Sequence, residues 1–204
     1  MVDSRKAARE MRSIVRVNEE IKRVVATAFK INLMAMNAIF LAKRAGQSAL
    51  GFGVLSNELR RFAMDLQNQM ATLRDMTTGS VSTITALLQQ TRVNRILERT
   101  RAECKPAKRG AVDKLLREQH AERLQERQEK IESLNRRLNH AIADTARLVE
   151  LGSVLARSAK IEAAYGGSFS SSLMQVSSDF ERTIGEIQQS LESLTKHHSE
   201  EITT

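Results

Sequence analysis

The side chains that could do chemistry in this 204-residue chain are few and widely spaced. His120 and His140 stand among Glu and Arg residues, as on a solvent-exposed helix face. His197 and His198 are adjacent, whereas two metal ligands on one helix face stand three or four residues apart. Cys104 has no nearby histidine to activate its thiol. We therefore expect no enzyme, no metal and no cofactor.

The sequence also gives no indication of a nucleotide-binding loop, a signal peptide or a membrane-spanning segment. The chain lacks a G-x-x-x-x-G-K-[ST] loop, and its glycines between 46 and 53 follow a helical pattern and not a strand. The first ten residues lack the apolar core of a signal peptide, and the single cysteine cannot form an internal disulfide. The longest apolar run is bracketed by Lys30 and Lys43. We expect no membrane-spanning segment and a cytoplasmic location.

Basic residues are concentrated in one part of the sequence. The net charge is +8, and the segment from Arg92 to Arg117 has nine basic residues and three acidic ones. One interpretation is contact with an anionic partner, a nucleic acid or a membrane surface, through Lys105, Lys108 and Arg109. The other is a solvated helix end with no partner. The segment has no interleaved aromatic residues on which bases would stack.

Composition and periodicity predict an all-α fold. The chain has one proline, no tryptophan and one tyrosine, which favours long helices over a sheet. Apolar residues recur every three or four positions in four segments. We predict a first hairpin over 4–103 with its tip near 46–53, a loop at 104–111, and a second hairpin over 112–200 with its tip near 165–168.

A three-four alternation of apolar residues predicts the buried seam of each helix. In the first two helices these are Ile14, Val17, Ile21, Val24, Ala28, Ile31, Ala35, Ala38, Ala42 and Ala45, then Leu55, Leu59, Phe62, Leu66, Leu73, Met76, Ile84 and Leu88. In the last two they are Ile131, Leu134, Leu138, Ala141, Thr145, Leu148, Gly152, Leu155 and Ala159, then Phe169, Leu173, Val176, Phe180, Ile184, Ile187, Leu191 and Leu194.

The spacing of the breaks predicts how the hairpins are arranged. About 60 residues separate Ser48 from Ala107, and about 60 more separate Ala107 from Gly167. Antiparallel helices of near-equal length, about 45 to 55 residues, would place both tips at the same end of one antiparallel four-helix bundle. The whole chain, 1–204, would then be a single rod-like domain roughly 70 to 80 Å long. The alternative is an extended hairpin that pairs with a second chain.

The segment from Ile31 to Ala63 is the most informative part of the chain. Apolar residues cover more than one face of its first half, which predicts burial on several sides. Gly46, Gly51 and Gly53 supply the backbone freedom that a tight reversal requires. The apolar period resumes directly afterwards, so the segment is a helical hairpin with a glycine-rich tip.

This segment carries the order N-L-x-A-x-N-A, then A-x-R-A-G, then G-F-x-V-x-x-x-E-x-R-x-x-A. The order resembles the kinase-control tip of bacterial methyl-accepting chemotaxis receptors and aligns without a gap from Phe29 to Ala63, about a sixth of the chain. The chain departs from the family at Leu41, Gln47 and Leu50, where receptors carry glutamate, glutamate and arginine. The matching residues are Asn32, Leu33, Ala35, Asn37, Ala38, Ala42, Arg44, Ala45, Gly46, Gly51, Phe52, Val54, Glu58, Arg60 and Ala63.

A second segment, VLARSAKIEAAYGGSF from Val154 to Phe169, resembles a degraded copy of the same pattern with a few turn residues missing. Receptor hairpins act as dimers, each dimer a four-helix bundle. The resemblance therefore implies that this chain forms an intrachain pseudo-dimer, with one intact tip and one divergent tip.

The resemblance also implies partners. Receptor tips bind the histidine kinase CheA and the coupling protein CheW, and neighbouring receptor tips meet each other. We expect a soluble signalling or scaffold protein that binds CheA, CheW or chemoreceptor tips, or associates with itself. The competing interpretation is a basic helical rod that binds nucleic acid or an anionic membrane. The implied tip contacts are Phe29, Leu33, Met34, Asn37, Phe40, Leu41, Arg44, Gln47, Leu50, Val54, Glu58 and Arg60.

Overall fold

The computed structural model describes residues 2–103 and 109–202, and within these two ranges it contains helices and no strand. The four long helices are α1 (Val2–Ala45), α2 (Leu50–Glu103), α3 (Arg109–Ala164) and α4 (Ser170–Ile202). Short 3-10 turns, Gly46–Ala49 and Gly167–Phe169, connect α1 to α2 and α3 to α4. The prediction of an all-α helical bundle is confirmed.

Each helix packs against two others. α1 contacts α2 and α4, and α3 contacts the same two helices. Polar contacts fix α4 to its neighbours: the Ser13 hydroxyl donates to the carbonyl of His197 at 2.7 Å, and the Lys160 ammonium pairs with Glu181 at 2.5 Å. The four helices therefore surround one shared core.

The core near the tip combines small and large side chains. α1 contributes Ala35, Ala38 and Ala42, whereas α2 contributes Phe52 and Leu59, and all five are buried. Because alanine lets the α1 backbone approach closely, the large side chains of the neighbouring helices fill the centre. The hairpin of α3 and α4 repeats this arrangement with Ala156, Ala159 and Ala163 against Leu173 and Phe180.

The predicted seam of α1 is correct at every position except Ala45, which is only partly buried. In α3 every second position of the predicted seam is one residue too early in the sequence. Ala141, Leu148 and Leu155 are partly buried at the edge of the core, and the buried residues are Ile142, Val149 and Ala156. Between Leu138 and Thr145 the apolar repeat can pass through Ala141, three residues after Leu138, or through Ile142, four residues after it. Because both residues are apolar, periodicity alone does not decide which of them is buried.

Buried hydroxyls explain three other differences from the predicted seams, two on α2 and one on α4. Ser56 and Thr77 on α2 are fully buried, whereas the predicted Leu55 and Met76 are partly buried beside them. The Ser56 hydroxyl donates to the carbonyl of Phe52 at 2.8 Å, which satisfies it within its own helix. A search for apolar residues misses such positions. On α4, Ser177 is likewise buried and Val176 is partly buried, and Phe169, in the turn before α4, is partly buried as well. The side chains of Ile84, Leu88 and Ile131 lie outside the described residues.

A constant offset relates the two hairpins. Gly46 and Gly167 differ by 121 in residue number and both have a positive φ, 69° and 57°. The buried residues Phe52 and Leu173, on the far side of each turn, differ by 121 as well, and so do Ser56 and Ser177. The two turns therefore contain equal numbers of residues, and the expectation that turn residues are missing from the second copy is wrong.

The expectation of near-equal helix lengths is also wrong. α2 and α3 have 54 and 56 residues, whereas α1 has 44 and α4 has 33. The offset of 121 places Ile202, where α4 ends, level with Val81 on α2. Residues 82–103 of α2 therefore extend beyond the end of α4. The same offset places Val2, where α1 begins, level with Arg123 on α3, so residues 109–122 of α3 extend beyond α1. Together with the last part of α2, about residues 92–103, they form a two-helix arm. An ion pair between Arg101 and Asp113, 2.6 Å long, joins the two helices of this arm.

The segment Arg12–Thr83, which covers most of α1 and the first part of α2, contains a strongly apolar window. Within Arg12–Thr83 an 18-residue window has a mean hydropathy of 1.7, which by length and composition is enough to cross a membrane. Core helices of soluble proteins pass the same criterion, so the finding is weak evidence for a span. Only 28% of that window is buried in the bundle. Much of the apolar surface of this stretch therefore faces outward.

Candidate protein-binding surface at the hairpin tip

The two turns lie side by side at one end of the bundle. A Cβ placed on Gly167 would stand 3.7 Å from the Oγ of Ser48 and 3.8 Å from its Cβ. Ser48 belongs to the first turn, where its hydroxyl donates to the carbonyl of Ala45 at 3.1 Å. Both tips can therefore be contacted by one partner approaching from that end.

α1 presents an apolar stripe to solvent just before the first turn. Phe29, Leu33, Met36 and Phe40 are 54%, 46%, 37% and 61% exposed. At 100° per residue they fall within an arc of about 60°, roughly opposite the buried seam. The expectation that this segment is buried on several sides is wrong. The seam faces the core, and Met34 and Leu41 are partly buried beside it. Phe29, Leu33, Met36 and Phe40 face outward.

α2 also exposes apolar side chains directly after the turn. Leu50 and Val54 are 60% and 62% exposed and stand one helical turn apart. We call the set formed by Phe29, Leu33, Met36, Phe40, Leu50 and Val54 the tip surface. Isolated exposed apolar residues are normal on proteins, but a set clustered along one end of a bundle is typical of an interaction site.

The remaining tip residues suggested by the sequence divide into two groups. Met34 and Leu41 are partly buried against the core, and the Met34 sulfur lies 3.9 Å from the hydroxyl of Thr183 on α4. These two side chains join helices within the bundle. The polar residues lie at the surface: Asn37, Arg44, Gln47 and Arg60 are exposed, and Glu58 is partly exposed and pairs with Arg61 at 3.0 Å.

The second hairpin has a narrower apolar surface. Val154 and Ile161 on α3, the counterparts of Leu33 and Phe40, are 56% and 63% exposed. On α4 the counterparts of Leu50 and Val54 are Ser171 and Gln175, which are exposed and polar. The two tips are therefore unequal, and the first offers the more apolar surface.

Sequence reasoning missed Met36, Val154, Ile161 and Tyr165 as surface residues. All four are exposed. Their signal is an apolar repeat on the face opposite each seam, which is visible only once the seam has been assigned.

A glutamate of the second tip packs against the first hairpin. The carboxylate of Glu162 on α3 lies against the backbone of Gly51 on α2, in space that a Cβ at Gly51 would fill. The offset makes Leu41 the counterpart of Glu162. Gly51 lies inside α2, and a side chain at this position would displace the Glu162 carboxylate.

Lys105 and Lys108 lie outside the described residues; Arg109 is the first residue of α3, and its side chain is not described. Among the residues that the structure describes, no group of three or more His, Cys, Asp or Glu side chains is placed to hold a metal ion.

No protein family model matches the chain, and no curated protein matches it significantly. The resemblance to chemotaxis receptors therefore rests on the sequence of residues 29–63 alone.

Proposed function

We propose that this chain is a chemoreceptor-like signalling or scaffold protein that binds CheA, CheW or chemoreceptor tips through the tip surface and modulates their array. The observation that carries the proposal is a coincidence of two features. The segment that resembles a receptor tip, residues 29–63, is also the segment whose large apolar side chains face solvent. A receptor tip that only built a core would have no reason to expose Phe40 and Val54.

The physical properties of the tip surface suit a protein partner. Burying one of its side chains would contribute about 1.5–3 kcal/mol relative to leaving it exposed. Exposed polar residues, among them Asn37, Arg44 and Arg60, stand beside the apolar ones. An apolar centre with a polar rim that includes arginine is the usual composition of a protein interface.

The departures from the receptor pattern affect which partner is favoured. Leu50 is 60% exposed where receptors carry arginine, and Gln47 is exposed where they carry glutamate. These changes remove charge from the surface through which receptor tips meet. Ser171 and Gln175, the polar residues that α4 of the second hairpin exposes, also reduce the apolar surface. Both features favour a protein with a single binding face, such as an adaptor or array modulator.

Binding to purified CheA and CheW from the same organism tests the proposal. Immobilised full-length chain should retain the kinase, the adaptor or both. Leu33→Arg and Val54→Arg should each reduce retention at least about tenfold, because a desolvated charge without a partner costs several kcal/mol. Leu151→Arg is the matched control, since Leu151 is 53% exposed on α3 and outside the tip surface.

A different outcome of these assays would contradict the proposed partners. If neither protein is retained, and the tip variants behave as the parent does in kinase assays with receptor arrays, the proposed partners are wrong. Analytical ultracentrifugation of the same variants then identifies self-association: a dimer that Leu33→Arg dissociates would assign the tip surface to a second copy of the chain.

A further inference from the structure

A stripe of three arginines runs along the two-helix arm, at the opposite end from the tip. Arg92, Arg95 and Arg99 on α2 are all exposed. Their spacing of three and then four residues places them within an arc of about 60° on the helix. Within the described residues none of the three forms an ion pair, whereas the nearby Arg101 pairs with Asp113.

Aliphatic side chains accompany these arginines on the outer side of the helix. Ile96 is 57% exposed and lies within about 40° of Arg92 on the helix circumference, and Val93 is 46% exposed. Asn94 and Leu97 are less exposed, as expected for the side of α2 that faces α3. The arm therefore carries an unneutralised basic stripe with aliphatic side chains along one edge, which we call the arm stripe: Arg92, Val93, Arg95, Ile96 and Arg99.

The composition of the arm stripe suits a membrane surface better than a nucleic acid. Single-stranded nucleic acids are held by aromatic side chains interleaved with cations, because bases stack on aromatic rings. No aromatic residue occurs between Phe62 and Tyr165. A membrane surface is matched by cations that contact lipid phosphates and aliphatic side chains that enter the region between headgroups and acyl chains.

We propose that the arm stripe docks the protein on the surface of an anionic lipid bilayer. The arginines would contact the negatively charged headgroups, and Ile96 and Val93 would insert at the boundary of the acyl chains. α2 has 54 residues, which gives a length of about 80 Å at 1.5 Å per residue. About 45 of these residues separate Arg95 from Leu50, so the tip surface would begin about 70 Å along the helix axis from the docked arm. This inference does not depend on the proposed function of the tip.

Vesicle flotation with the full-length chain tests the docking. One set of vesicles is phosphatidylcholine alone, and the other contains roughly one third phosphatidylglycerol. The parent should float with the anionic set only, and raising the salt concentration should release it. The triple variant Arg92→Gln, Arg95→Gln, Arg99→Gln should lower the partition coefficient on the order of 100-fold, since each cation near an anionic surface contributes about a factor of five to ten. Ile96→Ser should lower it by about tenfold.

A second triple variant separates a specific stripe from general charge. Arg136→Gln, Arg147→Gln, Arg182→Gln removes the same three charges from exposed arginines elsewhere, each of which pairs with an acidic side chain. It should float as the parent does. Equal losses in the two triple variants, or flotation that Ile96→Ser leaves unchanged, would overturn the proposal. Absence of flotation together with salt-sensitive retention of duplex DNA would assign the stripe to nucleic acid instead.

Discussion

The ring of Phe62 on α2 fills the space in front of Gly152 on α3. A Cβ added at Gly152 would lie 2.5 Å from the Cζ of Phe62, and both residues are buried. Ile31 is the counterpart of Gly152 in the first hairpin, and Thr183 is the counterpart of Phe62. Phe62 therefore fills the volume that Gly152 leaves empty, whereas the corresponding positions of the other helix pair carry Ile31 on α1 and Thr183 on α4.

Gly152→Ala should therefore destabilise the bundle although alanine is the better helix former. The added methyl group overlaps the Phe62 ring in a closely packed core, and we expect a loss of about 1–3 kcal/mol in the free energy of unfolding. Chemical denaturation followed by circular dichroism measures it. Gly185→Ala is the control, because a Cβ there meets nothing within 4 Å, and it should stabilise by up to about 1 kcal/mol. Combining Gly152→Ala with Phe62→Leu should recover part of the loss, and equal effects of the two glycine variants would contradict the contact.

The first turn depends on the left-handed backbone of Gly46. Its φ is 69°, and a Cβ there meets nothing within 4 Å, so any cost of substitution comes from backbone conformation alone. Gly46→Ala should destabilise by about 1–2 kcal/mol, and Gly46→Asn should cost less because asparagine tolerates this region. Thermal unfolding of the two variants beside Gly79→Ala gives the comparison. Gly79 also has free space but lies inside α2, and alanine there should stabilise the helix.

Two leucines near the tip, one on each helix of the first hairpin, allow the effect of a substitution at a buried position to be compared with the effect at an exposed position. Leu59 is fully buried and Leu33 is 46% exposed. Leu59→Ala should cost about 2–5 kcal/mol in the free energy of unfolding, whereas Leu33→Ala should cost less than about 1 kcal/mol. If the tip surface binds a partner, the order reverses in a binding assay at a temperature where both variants are folded. A large loss of stability in Leu33→Ala would show that Leu33 serves the core.

The helical fold and most of its core follow from the sequence because apolar period and glycine position are local signals. In α1 the phase of the seam is set between Ile14 and Val24, where charged residues such as Arg16 and Glu19 occupy outer positions. The seam of α3 could not be fixed in the same way, since Ala141 and Ile142 are both apolar and only packing against the other helices selects Ile142.

The candidate site was less accessible to sequence reasoning. The resemblance identified Phe40 and Val54, but an apolar residue in a helical segment indicates core and surface equally. Their exposure follows from the choice of alanine for the seam, as at Ala38 and Ala42, because alanine brings the neighbouring helices close and leaves the larger side chains outside. That choice becomes visible only when all four helices are in place.

The proximity of Ser48 and Gly167 allows the intrachain arrangement to be tested in solution. A Cβ on Gly167 would lie 3.8 Å from the Cβ of Ser48, within the range of about 3.5–4.5 Å found across disulfides. Ser48→Cys with Gly167→Cys, in a chain whose native cysteine is removed by Cys104→Ser, should therefore oxidise to an internal disulfide. Non-reducing electrophoresis at low protein concentration would show a monomer of altered mobility, and peptide mapping would place the bond. Ser48→Cys paired with Ser193→Cys on α4, far from the turns, should remain reduced. If the Ser48 and Gly167 variant yields covalent dimers instead, with no internal bond at any dilution, the second hairpin at the tip belongs to another chain, and the bundle is assembled from two molecules.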